Sequence, residues 1–263
     1  MTTLEFAGGK LLLHKGPIAR LILNQPEKRN ALSQSMWQAL PEICDAIDAA
    51  PEIRVVLVAG SGGKAFSAGA DISEFEAIYA TPDRTHLAND AIRHAQARLR
   101  AVGVPTIAMI EGACVGGGMG VALACDFRFA GDTATFAITP AKLGLAYSFL
   151  DTAQLVEKVG PVGARDILYS ARLFNAAEAK DMRLIERVYA PQDLEAETLA
   201  YAETLAGLSR TSIATSKAII NGIADSLAAH SGNYDGLFEA SFSSPDFQEG
   251  YRAFLEKRKP VFK

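Results

Sequence analysis

Residues 55–60 read VVLVAG, apolar at every position until the closing glycine. A strand with one face in water alternates apolar and polar residues, so a run without alternation must be covered on both faces. That run admits a sheet with something packed on each side of it and excludes an open, half-solvated sheet. Further strand-like runs follow at TIAMIEG (106–112), DFRFA (126–130) and TFAI (135–138). Between them, His86 to Val102 carries Ala91, Ile92, Ala95, Leu99 and Val102 at helical spacing. Strand, crossover helix and next strand at this rhythm predict an α/β protein with a parallel-sheet core.

Upstream, LLLHK and IARLILN read as paired strands turning at Gly16 and Pro17. Ser33 is placed to cap a helix carrying Trp37, Leu40, Cys44 and Ile47. A glycine cluster after TIAMIEG opens a short apolar helix ending near Ala124. Beyond about residue 150 the pattern becomes helical: LDTAQLVEKVG, ARDILYS, AEAKDMRL, DLEAETLAYAETLAGLS and SIATSKAIINGIADSLAAH, then a last helix over 245–257. The division expected is a core over 1–190 and a helical section over 191–263, with no obvious linker between them.

The chain has 263 residues, 30 acidic and 26 basic, for a net charge of -4. That balance argues against a nucleic-acid or membrane-surface partner, since such proteins usually carry a basic stripe. No apolar run approaches the ~18 residues of a membrane span, and the first residues lack the pattern of a secretory leader. Three cysteines, Cys44, Cys114 and Cys125, suit free thiols in a reducing cytoplasm.

Several motif-like stretches fail on inspection. GSGGKAFS (60–67) has Ala65 where a phosphate loop needs Ser or Thr, and GGGMG (116–120) does not match the dinucleotide fingerprint. AFSAG has Ala65 where a nucleophile elbow needs glycine. Two small-residue turns survive, FSAGADI and CVGGGMG, each after a strand and each leading toward a helix start. Unpaired amides there could aim at one developing oxyanion, though ordinary tight turns explain the composition as well. His14, His86, His94 and His230 are scattered and read as surface or structural residues; Tyr79, Tyr169 and Tyr201 read as helix packing. Tyr147 follows a Pro-Ala-Lys-Leu-Gly turn among small residues, where its hydroxyl could donate to a ligand or simply pack.

The segments NQPEKRNALS (24–33), KAFSAGADI (64–72), EGACVGGGMGVALACDFRFA (111–130), FAITPAKLGL (136–145) and SPDFQEGYRAFLEKRKPVF (244–262) resemble the crotonase, or enoyl-CoA hydratase/isomerase, superfamily. The resemblance implies a spiral of ββα turns with a helical C-terminal trimerisation section, hence a homotrimer or dimer of trimers. It implies an acyl-CoA thioester as ligand, coenzyme A arriving as part of the substrate, with no separate cofactor and no metal. It places an oxyanion hole at the amides of Ala68 and Gly117. It also lays the thioester along Lys28, Ala31, Leu32, Lys64, Ala68, Gly69, Ala70, Asp71, Ile72, Gly116 and Pro140.

One departure bears on the chemistry. Hydratases of this family carry two glutamates, and by motif these fall on Gly120 and Pro140, neither of which can move a proton. Acid–base groups supply about 10²–10⁴ in rate to such additions. Decarboxylation of a malonyl-type thioester needs the enolate hole but no base, because loss of CO₂ itself delivers the electrons. The stretch F-x-x-TP-x-x-LG-x-x-Y (136–147) and the tail resemble the methylmalonyl-CoA decarboxylase-like members, with Tyr147 at the counterpart tyrosine. The expectation is therefore an enolate-stabilising enzyme, decarboxylase first. The alternatives are a hydratase or isomerase with a relocated base, Asp151 being the candidate, and a non-catalytic acyl-CoA binder. A plainer role for Asp151 is the N-cap of the helix over TAQLVEKVG.

Overall fold

The computed structural model describes residues 2–227 and 235–262. His230 and the end of the run SIATSKAIINGIADSLAAH lie outside the described residues. The main sheet has seven strands: β1 (Thr3–Phe6), β2 (Leu11–His14), β3 (Ile18–Leu23), β4 (Val55–Gly60), β6 (Thr106–Ile110), β8 (Phe127–Gly131) and β11 (Arg187–Tyr189), in that order. β1, β2 and β3 form an antiparallel meander, and from β3 onward every neighbour is parallel. A second sheet holds β5 (Ala65–Ser67), β7 (Ala113–Val115), β9 (Thr135–Ala137) and β10 (Phe174–Asn175), ordered β10-β9-β7-β5.

The strands β4, β6 and β8 of the first sheet are each followed by a short strand of the second and then by helix. β4 and β5 lead to α2 (Phe75–Ile78) and α3 (Pro82–Arg100); β6 and β7 lead to α4 (Gly117–Ala124); β8 and β9 lead to α5 (Phe149–Ser170). This repeat is the ββα spiral that the resemblance implies. α1 (Gln34–Asp48) closes the first turn, burying Met36, Trp37, Leu40, Ile43, Cys44 and Ile47 on one side.

The unbroken apolar run of β4 has a direct structural cause. Val56 and Val58 enter the main core with Leu21, Ala108 and α1, while Val55 and Leu57 enter a second core on the opposite face. There they meet Ile107, Phe129 and the residues Leu194 and Ala202 of α7 (Pro191–Ala206). α7 thus covers the outer face of the sheet. α6 (Ala176–Asp181), α8 (Arg210–Leu227), α9 (Asp235–Ser241) and α10 (Pro245–Leu255) complete the described helices.

Local differences from the sequence reading have local causes. α3 begins at Pro82, four residues before His86, because the Thr81 hydroxyl accepts the Arg84 amide and proline suits a first helical turn. The stretches LDTAQLVEKVG and ARDILYS are two arms of α5 joined at a kink, where Gly160 has φ 69° before Pro161. Asp151 is not the N-cap of α5: Ser148 is, its hydroxyl accepting the Asp151 amide. Tyr201 packs on Phe127 and Phe129 as expected, but Tyr169 is 76% exposed and packs little. The three cysteines are free and buried, and burial pushes the Cys44 and Cys125 thiols up to about 12. Among the described residues no helix is long and apolar enough to cross a membrane.

Candidate active site

The two small-residue turns meet. After β5 the chain turns at Gly69 (φ 103°), and after β7 it turns at Gly116 (φ 51°) into the first turn of α4. They approach so closely that a Cβ on Gly69 would stand 3.0 Å from the Val115 carbonyl oxygen, and one on Gly118 2.7 Å from the Ser67 Cβ. Glycine at these positions is therefore a packing requirement as well as a conformational one.

The contact sets which amides are free. Leu32 donates to the Gly69 carbonyl and accepts from the Asp71 amide, a parallel bridge that leaves the Ala70 amide outside the pairing. The Gly117 amide, at the start of α4, has no partner within the helix. Among the described residues neither amide has a hydrogen-bond partner, and a Cβ placed on Gly117 would lie 3.6 Å from the Ala70 nitrogen. The expectation for Ala68 is corrected here: its amide donates to the Arg29 carbonyl at 2.9 Å and is already committed. The adjacent free pair is Ala70 with Gly117.

Both residues line a cavity of about 650 Å³. Of the residues expected along the thioester, Ala68, Gly69, Ala70, Ile72, Gly116 and Pro140 line it with Gly117. Lys28, Ala31, Leu32, Lys64 and Asp71 do not. Lys64 is exposed, whereas Ala31 and Leu32 are buried. Lys28 holds Asp71 at 2.6 Å, and the same carboxylate accepts from the amide and hydroxyl of Ser73. Asp71 thus anchors its own loop, and these bonds hold its carboxyl below the usual range although burial opposes them.

Tyr147, from the turn before α5, and Asp151, from its first turn, reach the same cavity. Tyr147 is half-buried and its hydroxyl donates to the Gly116 carbonyl at 3.4 Å, a long contact. Burial and the nearby Asp151 hold its phenol well above the ordinary value. The Asp151 side chain is 5% exposed. One oxygen, Oδ2, accepts from the Ser148 hydroxyl at 2.5 Å; the other, Oδ1, is buried with no hydrogen-bond partner among the described residues. Burial pushes the carboxyl up to about 6, opposed by the Ser148 hydroxyl and the Gln96 carboxamide.

Asp151 and Gln96 crowd one point. A Cβ built on Gly120 would stand 2.8 Å from Asp151 Oδ1 and 2.1 Å from Gln96 Nε2. The place where a side chain from α4 would begin is filled instead by a carboxyl from α5 and a carboxamide from α3. Sequence reading missed Gln96. The available signal was its position four residues after Ile92 on the apolar stripe of α3, where a polar residue is 2% exposed. Asp151 therefore combines a raised carboxyl, a free oxygen and a position at the cavity, the properties of a proton carrier near neutral pH.

Comparison with known proteins agrees with this architecture. A Crotonyl-CoA hydratase from Syntrophomonas wolfei is 32% identical over 247 residues, covering 93% of this chain and 94% of that one. A Thermus thermophilus relative that carries an enoyl-CoA hydratase name is 35% identical, covering 95% and 99%. A solved methylmalonyl-CoA decarboxylase in complex with 2-nitronate-propionyl-CoA superposes with a TM-score of 0.87, with 27% identity and 97% and 98% coverage. The fold and the twin-turn site define a crotonase-superfamily enzyme acting on CoA thioesters. The chain belongs to the enoyl-CoA hydratase/isomerase family, whose model matches residues 14–263.

Proposed function

We propose that the protein stabilises the enolate of an acyl-CoA thioester at the Ala70 and Gly117 amides, and that Asp151 carries the proton to or from it. The reaction is then hydration of an enoyl-CoA or a shift of its double bond. The observation that carries this reading is the Asp151 carboxyl at the point where a residue-120 side chain would start. It replaces decarboxylation as the leading reaction, because the missing glutamates have a stand-in.

The steps follow from the groups present. The thioester oxygen accepts from the two amides, which cost no reorganisation as negative charge develops on it. In hydration, ionised Asp151 takes a proton from water as the water oxygen bonds to the β-carbon. The double-bond electrons move onto the thioester oxygen, and the same proton returns to the α-carbon. In isomerisation, Asp151 removes an α-proton and returns it at the γ-carbon. One carboxyl serves either course. Coenzyme A enters as part of the substrate.

Decarboxylation is the second reading, supported by Tyr147 and by the solved decarboxylase neighbours. A malonyl-type carboxylate would sit near Asp151, and above pH 6 the two negative charges repel. The basic groups that line the cavity, Arg93 and His86, both pair with Asp90. The test offers 2-enoyl-, 3-enoyl- and methylmalonyl-CoA thioesters to the protein and to Asp151→Asn. Hydration or isomerisation that is lost in the variant supports the proposal. Carbon dioxide release as the sole turnover, undiminished in the variant, overturns it.

The homotrimer or dimer of trimers belongs to the same proposal. The exposure of Ile219 and Ile220 on α8, 58% and 60%, favours burial against another copy. Sedimentation equilibrium distinguishes these assemblies from a monomer.

A further inference from the structure

One side of α3 lines the cavity with polar groups. His86, Asn89, Arg93 and Gln96 recur at three- and four-residue spacing, which a helix gathers onto one side, and all four are at the cavity wall. The rest of the lining is largely apolar, including Phe75, Tyr79, Leu145, Phe149 and Phe242. The His86 and Arg93 side chains are more than half exposed to water, but a buried polar atom on this stripe is unfavourable unless something satisfies it.

Three of the four polar groups have neighbours that do so. Gln96 stands beside Asp151 at the reacting end. Arg93 pairs with Asp90 at 2.6 Å, and His86 bridges Asp90 at 3.2 Å and Glu239 of α9 at 3.1 Å. Asn89 differs: its amide nitrogen is buried and has no hydrogen-bond partner among the described residues. It lies seven residues from Gln96, which at helical rise is about 10 Å along the cavity wall. That distance is of the order of a medium-length acyl chain.

We propose that Asn89 recognises an oxygen carried on the acyl chain, so that the preferred substrate is a medium-length acyl-CoA thioester bearing a distal neutral hydroxyl or keto group. The proposal rests on the acyl-CoA reading above and names its substrate class. A donor amide requires an acceptor, which a bare hydrocarbon end lacks. An anionic end group is disfavoured because the basic groups of the lining, Arg93 and His86, are already paired with Asp90 and Glu239. A hydroxyl or keto oxygen satisfies the donor and needs no cationic partner.

The test compares two medium-length trans-2-enoyl-CoA thioesters of equal chain length, one ending in a methyl group and one in a hydroxyl. Both kcat/KM and the calorimetric Kd are measured. A cavity built to pair an oxygen should favour the hydroxylated chain about tenfold or more. In Asn89→Leu, and in Asn89→Ala should the first variant fail to melt cooperatively, the ratio should fall to about one or invert. Equal use of both thioesters by the unmodified protein overturns the proposal while leaving the acyl-CoA reading intact. So does a preference that survives in a folded variant. Failure of the protein to bind either thioester overturns both.

Discussion

Replacing Asp151 by Asn should stabilise the protein at neutral pH while removing its activity. The ordinary Asp value is 3.8, and burial raises the folded-state value to about 6. Each pH unit between the two is worth about 1.4 kcal/mol. Keeping this carboxyl ionised in the folded protein therefore costs about 3 kcal/mol above pH 6. The sign follows from proton counting: between the two values the folded state binds more protons than the unfolded state. Stability from this group is thus fully present below 3.8 and declines as pH rises through about 6. Asparagine carries no such penalty, and its side-chain oxygen can still accept from the Ser148 hydroxyl. Urea denaturation of both proteins from pH 4 to pH 8 isolates the effect, because every other titrating group is shared. The stability gained by the variant should be near zero at the acid end and grow to about 3 kcal/mol at neutral pH. Over the same range, kcat/KM of the parent should rise through about pH 6 as the base ionises. The variant should lose about 10²–10⁴ in kcat. A variant less stable than the parent at pH 7, or a gain that does not grow with pH, would refute the description of Asp151 as a destabilised proton carrier. It would then be a structural carboxylate of the α5 first turn.

Other substitutions probe the surrounding pieces. Gly120→Ala should lose at least tenfold in kcat with about 1–3 kcal/mol of stability, read by turnover and melting, since its Cβ would strike Gln96 and Asp151. Gln96→Leu removes a group that favours the ionised form of Asp151, so the acid limb of the kcat/KM profile should move to higher pH. An unmoved limb would confine Gln96 to packing. Gly117→Pro deletes one candidate oxyanion donor at a helix position that tolerates proline, and should cost about 10²–10³ in kcat. Gly117→Ala, whose Cβ meets Trp37 at 3.2 Å, is its steric control, and the difference between the two measures the amide.

The fold was legible in the sequence wherever burial left a periodic mark. The unbroken VVLVAG run demanded cover on both sides, and the structure supplies the main core on one face and α7 on the other. The site was legible only down to its turns. Within FSAGADI the alanines are chemically equivalent, and which amide stays free depends on where Arg29 and Leu32 pair, contacts from a distant part of the chain. The pair Ser148 and Asp151 posed a similar ambiguity, since both are good helix caps; the helix starts at Phe149, three residues earlier than a cap at Asp151 would place it. Gln96 was hidden for the opposite reason. A single polar residue on an apolar helix face looks like noise until the glycine facing it, in another element, is seen to leave it room.

The main-chain origin of the free amides at Ala70 and Gly117 has a consequence for how this kind of site can change over time. Position 70 is already alanine, so an alanine scan would pass over it, and at Gly117 and Gly118 it would report crowding against Trp37 and Ser67 with the amides untouched. No side-chain exchange at these positions can subtract an N–H except proline. The half that moves protons is made of side chains and has no such protection. A lineage can therefore discard an acid–base residue on one helix and recruit a carboxyl from another while the thioester oxygen keeps the same seat. In such a site the proton-moving chemistry is the exchangeable part and thioester activation the fixed part.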